Sequence, residues 1–205
     1  MKGVFHKLYM IMGTVMCRVF LTWWKFRDYV FPPKTDTVLF VAHPDDDTLF
    51  FHTFIKDHRP YVCLMTTGWS LRRMPCFLKA MKYYGVKFRA YPLRTNDSRI
   101  QLHEKIIMDV LSIGKFRVVA THNATGEYGH EEHMRVHKAV ASVLKKNGSD
   151  AILLYPETKE YIAEHPLPRK VIEEKEKIFK TIYTTESWVL DEDTVWVENE
   201  CLVKQ

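Results

Sequence analysis

The stretch TVLFVAHPDDD, Thr37 to Asp47, sets a short run of apolar and β-branched residues directly against a histidine, a proline and three successive carboxylates. A run this continuous reads as a strand buried on both faces, as in the middle of a parallel sheet. Three adjacent carboxylates at its end repel one another, and desolvating them is costly unless a cation or a positive dipole receives them. About ninety residues further on, Gly129-His130-Glu131-Glu132-His133 offers two imidazoles three residues apart on what reads as a helix. Together the two stretches hold a ligand set of the zinc type.

Outward from this strand, short apolar runs alternate with helical stretches. The sequence predicts strands at 37–42, 61–66, 88–93, 116–121 and 151–155, the third weakened by Pro92, and helices at 48–57, 71–84, 97–113 and 131–146. The last helix closes on Asn147-Gly148 as a C-cap. After Tyr155 come a polar loop through Pro166 and Pro168, a charged helix at 170–183 and an alternating stretch at 194–203 that reads as an exposed edge strand. Repeated strand–helix units with right-handed crossovers make a Rossmann-like, doubly wound α/β fold with a mainly parallel sheet. Both histidine-bearing stretches follow predicted strands, where open α/β sheets bind ligands.

At 205 residues, 46% of them hydrophobic, the chain holds one domain with a real core. Its organisation reads as an extension and linker at 1–35, ended by Phe31-Pro32-Pro33, and a domain at 36–205. Within 1–31, Lys2, Lys7, Arg18, Lys25 and Arg27 are set among aromatic and aliphatic residues including Trp23, Trp24 and Phe26. The uncharged run Leu8 to Cys17 is ten residues, against roughly twenty for a spanning helix. Three readings stay open: an interfacial helix making peripheral contact with a membrane, a helix packed on its own domain, or a true anchor. The net charge of +5 suits an anionic ligand, a membrane surface or nucleic acid, but the α/β region has no basic stripe with interleaved aromatics, so nucleic acid is not expected. Four cysteines without a CxxC pair fit a reducing, cytoplasmic setting, with membrane association through 1–31 as its variant.

Within the first motif, Pro44 holds the backbone extended, so His43 and Asp46 can converge while Asp45 faces the same pocket. Asp46 or Asp47 capping the next helix, with His43 in the core, is the plainer alternative. His130, His133 and His137 share one helical face, and the spacing is H-x-x-H rather than the H-E-x-x-H of zinc proteases. His137 reads as a packing or supporting residue. Tyr128 could donate a hydrogen bond or pack at the loop's neck. Arg73 could meet a phosphate or a sugar hydroxyl, or stand solvated at a helix start. Asp97 could accept from a sugar hydroxyl or cap a helix.

The pair A-H-P-D-D and T-H-N-x-x-G-E-Y-G-H-x-x-H-x-x-V-H resembles the zinc-dependent de-N-acetylases that include the N-acetylglucosaminyl-phosphatidylinositol deacetylase and the mycothiol-pathway deacetylase. The resemblance spans roughly residues 36 to 145. It implies a Rossmann-like fold, one Zn²⁺ with Fe²⁺ as the alternative, and hydrolysis of the acetamide on an N-acetylglucosamine-type conjugate, lipid-linked ones included. It makes His43, Asp46 and His133 the metal ligands and Asp45 the general base, and it places His130 beside the developing oxyanion, to which it would donate if protonated. Arg73, Asp97, Asn123 and Tyr128 are then the substrate-contact candidates. Two positions depart from the family pattern: Asp47 stands where glutamate is usual, and Cys76 where the helix after the second strand has glutamate. A homologue that keeps the metal and binds a sugar conjugate without turnover is the second reading.

Overall fold

The computed structural model describes Trp23 and residues 33–66, 72–91 and 100–204. Asp97 and, Trp23 apart, the basic aromatic segment 1–31 lie outside the described residues. Strand β1 (Thr37–Val41) is buried along its whole length, and its side chains divide between two cores. Leu39 and Val41 enter one core with Val62 and Leu64 of β2 (Tyr61–Leu64), while Val38 and Phe40 enter the other with Tyr61 and Cys63. A strand covered on both faces has no polar side to present, which is why the run reads as continuous rather than alternating.

With β3 (Phe88–Ala90), β4 (Val118–Ala120), β5 (Ile152–Pro156) and β6 (Leu202–Lys204), the sheet has the order β3-β2-β1-β4-β5-β6. All neighbours are parallel except β5 and β6. Helices α1 (Asp46–Leu49), α2 (His52–His58) and α3 (Arg73–Tyr84) serve the first three strands, and Phe54, Phe77 and Met81 fill the first core. The chain then crosses to the second face through α4 (Ile100–Leu111). There Ile106 and Val110 pack with Val136 and Val140 of α6 (Glu131–Lys146), which follows the short α5 (Gly126–Gly129). After α7 (Lys159–Ile162), α8 (Arg169–Thr181) returns Ile178 and Phe179 to the first core, followed by a 3₁₀ turn at Thr184–Glu186, α9 (Val189–Glu192) and α10 (Thr194–Glu198). The expected single α/β domain with a doubly wound, mostly parallel sheet is the one observed.

This order fixes where a site can be. From β1 the chain continues to one side of the sheet and from β4 to the other, so a crevice opens between the carboxyl ends of these two strands. The loops that leave them carry His43 and His122. Buried Lys175 of α8 braces that end of the molecule: its Nζ donates to the carbonyls of Leu49 (2.9 Å) and Trp196 (2.6 Å), and burial lowers its pKa to about 8.

Two elements and one expected helix cap differ from expectation for physical reasons. The helix expected at 48–57 is broken at Phe50 and Phe51, and the break buries both rings, each about 6 Å from His122 (5.9 and 6.0 Å). The strand expected at 194–203 is a helix over Thr194–Glu198 followed by the short β6. Consecutive Trp196 and Val197 are both buried in the first core, which a helix facing one core allows and a strand would not. Finally, Asp47 does not cap α1. Its Oδ1 accepts from the Tyr183 hydroxyl (2.6 Å) and the Asp45 N–H (3.2 Å), and its Oδ2 from Thr48 Oγ1 (3.1 Å).

Candidate metal centre and active site

Past β1 the backbone turns sharply. The His43 N–H donates to Asp46 Oδ2 (2.6 Å), and Asp45 between them adopts φ 109°. A non-glycine residue in that region costs roughly 1–3 kcal/mol and persists only where its surroundings over-determine it. Here the surroundings give each carboxylate a different partner. Asp45 Oδ1 accepts from Arg73 Nη2 (2.8 Å), Asp46 meets the imidazoles of His122 and His133, and Asp47 meets Tyr183. Ionisation separates accordingly. Burial pushes Asp45 well above the usual carboxylate range, with Arg73 opposing and Asp46 and Glu186 adding to the rise. Burial also works on Asp46, but His133 and His122 hold it well below that range. Asp47 is pushed up to about 6 by burial, despite the Tyr183 hydrogen bond. Neighbouring carboxylates with divergent acidities are the arrangement that acid–base chemistry requires.

The second loop is locked by its own polar atoms. Asn123 Oδ1 accepts from the N–H groups of Thr125 (3.0 Å) and Glu127 (2.8 Å), while Glu127 Oε1 accepts from the Asn123 N–H (2.8 Å). Gly126 (φ 72°) makes the turn possible, since a Cβ there would also meet Met134 Cγ at 3.0 Å. The turn aims Glu127, itself at φ 58°, inward, so that Oε2 lies 2.6 Å from His133 Nδ1 and 3.2 Å from His122 Nδ1. Burial would raise Glu127, but the two imidazoles bring it down to about 2. His130 then opens α6 as its N-cap, with Nδ1 accepting from the Glu132 N–H (3.2 Å). His137 donates from Nδ1 to the His122 carbonyl (2.7 Å), a supporting contact.

These loops bring His43, Asp46 and His133 together. His43 Nδ1 lies 3.2 Å from His133 Nε2 and 3.4 Å from Asp46 Oδ2, and His133 Nε2 lies 3.5 Å from Asp46 Oδ1. Donors around a tetrahedral ion with bonds of about 2.0–2.1 Å stand roughly 3.3 Å apart, so each pairwise spacing suits a zinc-sized ion, with Asp46 facing His43 through Oδ2 and His133 through Oδ1. The chemistry of the set fits as well. Glu127 accepts the proton on His133 Nδ1 and so turns the lone pair of Nε2 to the shared centre, the outer support a metal-binding histidine needs. Two overlapping groups with donor atoms within 4.8 Å of one another, His43/His130/His133 and Asp46/His122/His133, could hold a metal ion. His133 belongs to both. His122 has a competing use, because its Nε2 accepts from the Ala42 N–H (2.9 Å).

Beside this centre lies a cavity of about 320 Å³ lined by His43, Asp45, Asp46, Arg73, Tyr128 and His130, with Glu186, Trp188 and Asp193 from the C-terminal region. Arg73, partly exposed in the cavity wall, is held by carboxylates: besides Asp45 it meets the Pro44 carbonyl (2.9 Å) and Glu186 Oε1 (2.9 Å). Asn123 is turned into its own loop and does not line the cavity. Sequence reasoning assigned no role to His122, Glu186 or Trp188, and Glu127 was legible only as a carboxylate near the histidines. The signal for His122 was its place directly after a buried strand, in T-H-N, mirroring A-H-P.

No protein-family model matches the chain, and no curated protein matches it. Among solved structures it is similar to a deacetylase triple mutant from the teicoplanin biosynthetic pathway, at 13% identity and TM-score 0.59 over 82% of this chain and 98% of that one. It is also similar to the conserved protein TT1542 of Thermus thermophilus, at 13% identity and TM-score 0.57 over 78% and 83%. At such identity the likeness concerns the fold.

The Glu127 contact predicts a measurable effect. With its amide oxygen kept on the Asn123 N–H, Glu127→Gln turns an NH2 group toward both imidazoles in place of their shared acceptor, and it should weaken metal binding by about 10- to 100-fold, read by competition with a chromogenic chelator. Unchanged affinity would mean that Glu127 serves the loop alone.

Proposed function

We propose that this chain is a metal-dependent hydrolase of the de-N-acetylase type, removing acetate from an N-acetylated sugar conjugate. The carrying observation is the convergence of His43 Nδ1, Asp46 and His133 Nε2 at 3.2–3.5 Å beside a buried, Arg73-held Asp45. A likeness in fold to a teicoplanin-pathway deacetylase supports it. In this reading His43, Asp46 and His133 hold Zn²⁺ or Fe²⁺, which when bound makes a water acidic near neutral pH and polarises the amide oxygen.

The chain's own residues do the rest. Asp45 takes the proton of the attacking water and returns it to the departing amine, which is too basic to leave unprotonated. Burial raises its proton affinity, which suits the return step, while Arg73 fixes the carboxylate's rotation through Oδ1. His130 stabilises the tetrahedral oxyanion as a neutral donor rather than as an imidazolium. Burial, then the charges of His133 and His43, lower its pKa to about 4, and with Nδ1 accepting from Glu132 the proton is on Nε2. Losing such a donor costs about 10² to 10³ in kcat.

The decisive experiment follows acetate release by the purified, metal-loaded protein from a panel of soluble and lipid-linked N-acetylglucosamine conjugates. Release that stops on chelation and returns with Zn²⁺ or Fe²⁺ is the expected result. No release from any N-acetylated sugar, with the metal bound, would sink the proposal.

A further inference from the structure

The C-terminal wall of the cavity bears a feature that the reaction itself does not use. Trp188 and Tyr128 line the cavity yet remain 43% and 47% exposed. A lone exposed aromatic needs no explanation, but these two border one cavity and both are held. Tyr128 packs against His133 and His130, with ring centroids 5.6 and 5.9 Å apart. The Trp188 Nε1–H donates to Glu186 Oε2 (3.1 Å), Glu186 Oε1 accepts from Arg73 Nε (2.9 Å), and Arg73 Nη2 reaches Asp45 Oδ1 (2.8 Å). A chain of polar contacts thus ties the edge of an exposed indole to the carboxylate assigned as base.

We propose that Trp188 and Tyr128 form the platform on which the pyranose ring of the substrate rests, making Trp188 a specificity-determining residue. This rests on the sugar-amide reading above. A pyranose ring has a face of C–H groups and a rim of hydroxyls. Aromatic surface covers the face, and the rim needs acceptors, which Glu186 and Asp193 provide on the same wall. A fatty chain would instead desolvate Asp193 and the remaining lone pairs of Glu186 without offering them a donor. The Glu186 hydrogen bond fixes the indole before substrate arrives, so less rotamer freedom is lost on binding.

The test uses the full-length, Zn²⁺-loaded protein with methyl N-acetylglucosaminide and, as the ring-free comparison, N-acetylethanolamine. Trp188→Ala should raise KM for the sugar about tenfold, the worth of one uncovered ring face, with a far smaller change in kcat. Trp188→Phe, which keeps a flat face, should recover most of the loss. Calorimetric binding of glucosamine, the product-like ligand, should weaken by the same factor, independently of turnover. An unchanged KM and glucosamine affinity in Trp188→Ala would remove the platform while leaving the sugar reading intact. An equal rise in KM for the ring-free acetamide would also overturn it, by showing that Trp188 shapes the site rather than meeting a ring. Wild-type protein that cleaves the ring-free acetamide but no sugar would refute the sugar reading itself, and the platform with it.

Discussion

Replacement of Asp45 by asparagine is expected to lower kcat for acetate release by about 10² to 10⁴-fold, with metal content unchanged. The amide is close in shape to the carboxylate, so Arg73 keeps an acceptor and the strained turn keeps its packing. What disappears is the group that takes the water's proton and gives it to the amine. The metal donors of Asp46, His43 and His133 are untouched, so an assay of bound metal separates lost chemistry from a lost site. Near-normal kcat in Asp45→Asn would assign the proton transfer elsewhere. Glu127 is a poor substitute, since its Oε2 sits between His122 and His133 and its Oε1 accepts from the Asn123 N–H.

The central strand and its motif were legible because burial on both faces leaves no polar residue to confuse the reading, and because three carboxylates after it demand an explanation. His130 and His133 were legible from helical spacing. His122 was not, because its contacts depend on β4 lying beside β1, which brings its Nε2 to the Ala42 N–H eighty residues away in sequence. The role of Glu127 depends on a backbone conformation, φ 58°, that no composition or period announces. The C-terminal wall was the least legible part. Val195, Trp196 and Val197 are β-formers and alternate with polar neighbours only loosely, and the first core, through Phe50 at 5.0 Å from Trp196, overrides that preference and makes them helical. Glu186 and Trp188 carry no motif at all. Their meaning comes from Arg73, more than a hundred residues earlier, which connects them to Asp45.

Loss of His133 is expected to abolish metal binding more completely than any other single change, because this residue belongs to both donor groups found among the described residues. His43→Ala and Asp46→Ala should follow closely, each weakening affinity by well over the roughly 10- to 100-fold that losing an outer partner costs. Two further variants separate the overlapping donor groups. His122→Gln keeps an acceptor for the Ala42 N–H and removes only an imidazole already engaged, so it should behave as an outer-partner change. His130→Ala removes a helix cap and the oxyanion donor but no ligand, so the ion should stay. Metal analysis after dialysis, with chelator competition for affinity, reads all five. An ion retained in His133→Ala would discard the centre proposed here. If His130→Ala lost the ion while Asp46→Ala kept it, the ligands would be His43, His130 and His133, and the oxyanion would need another donor.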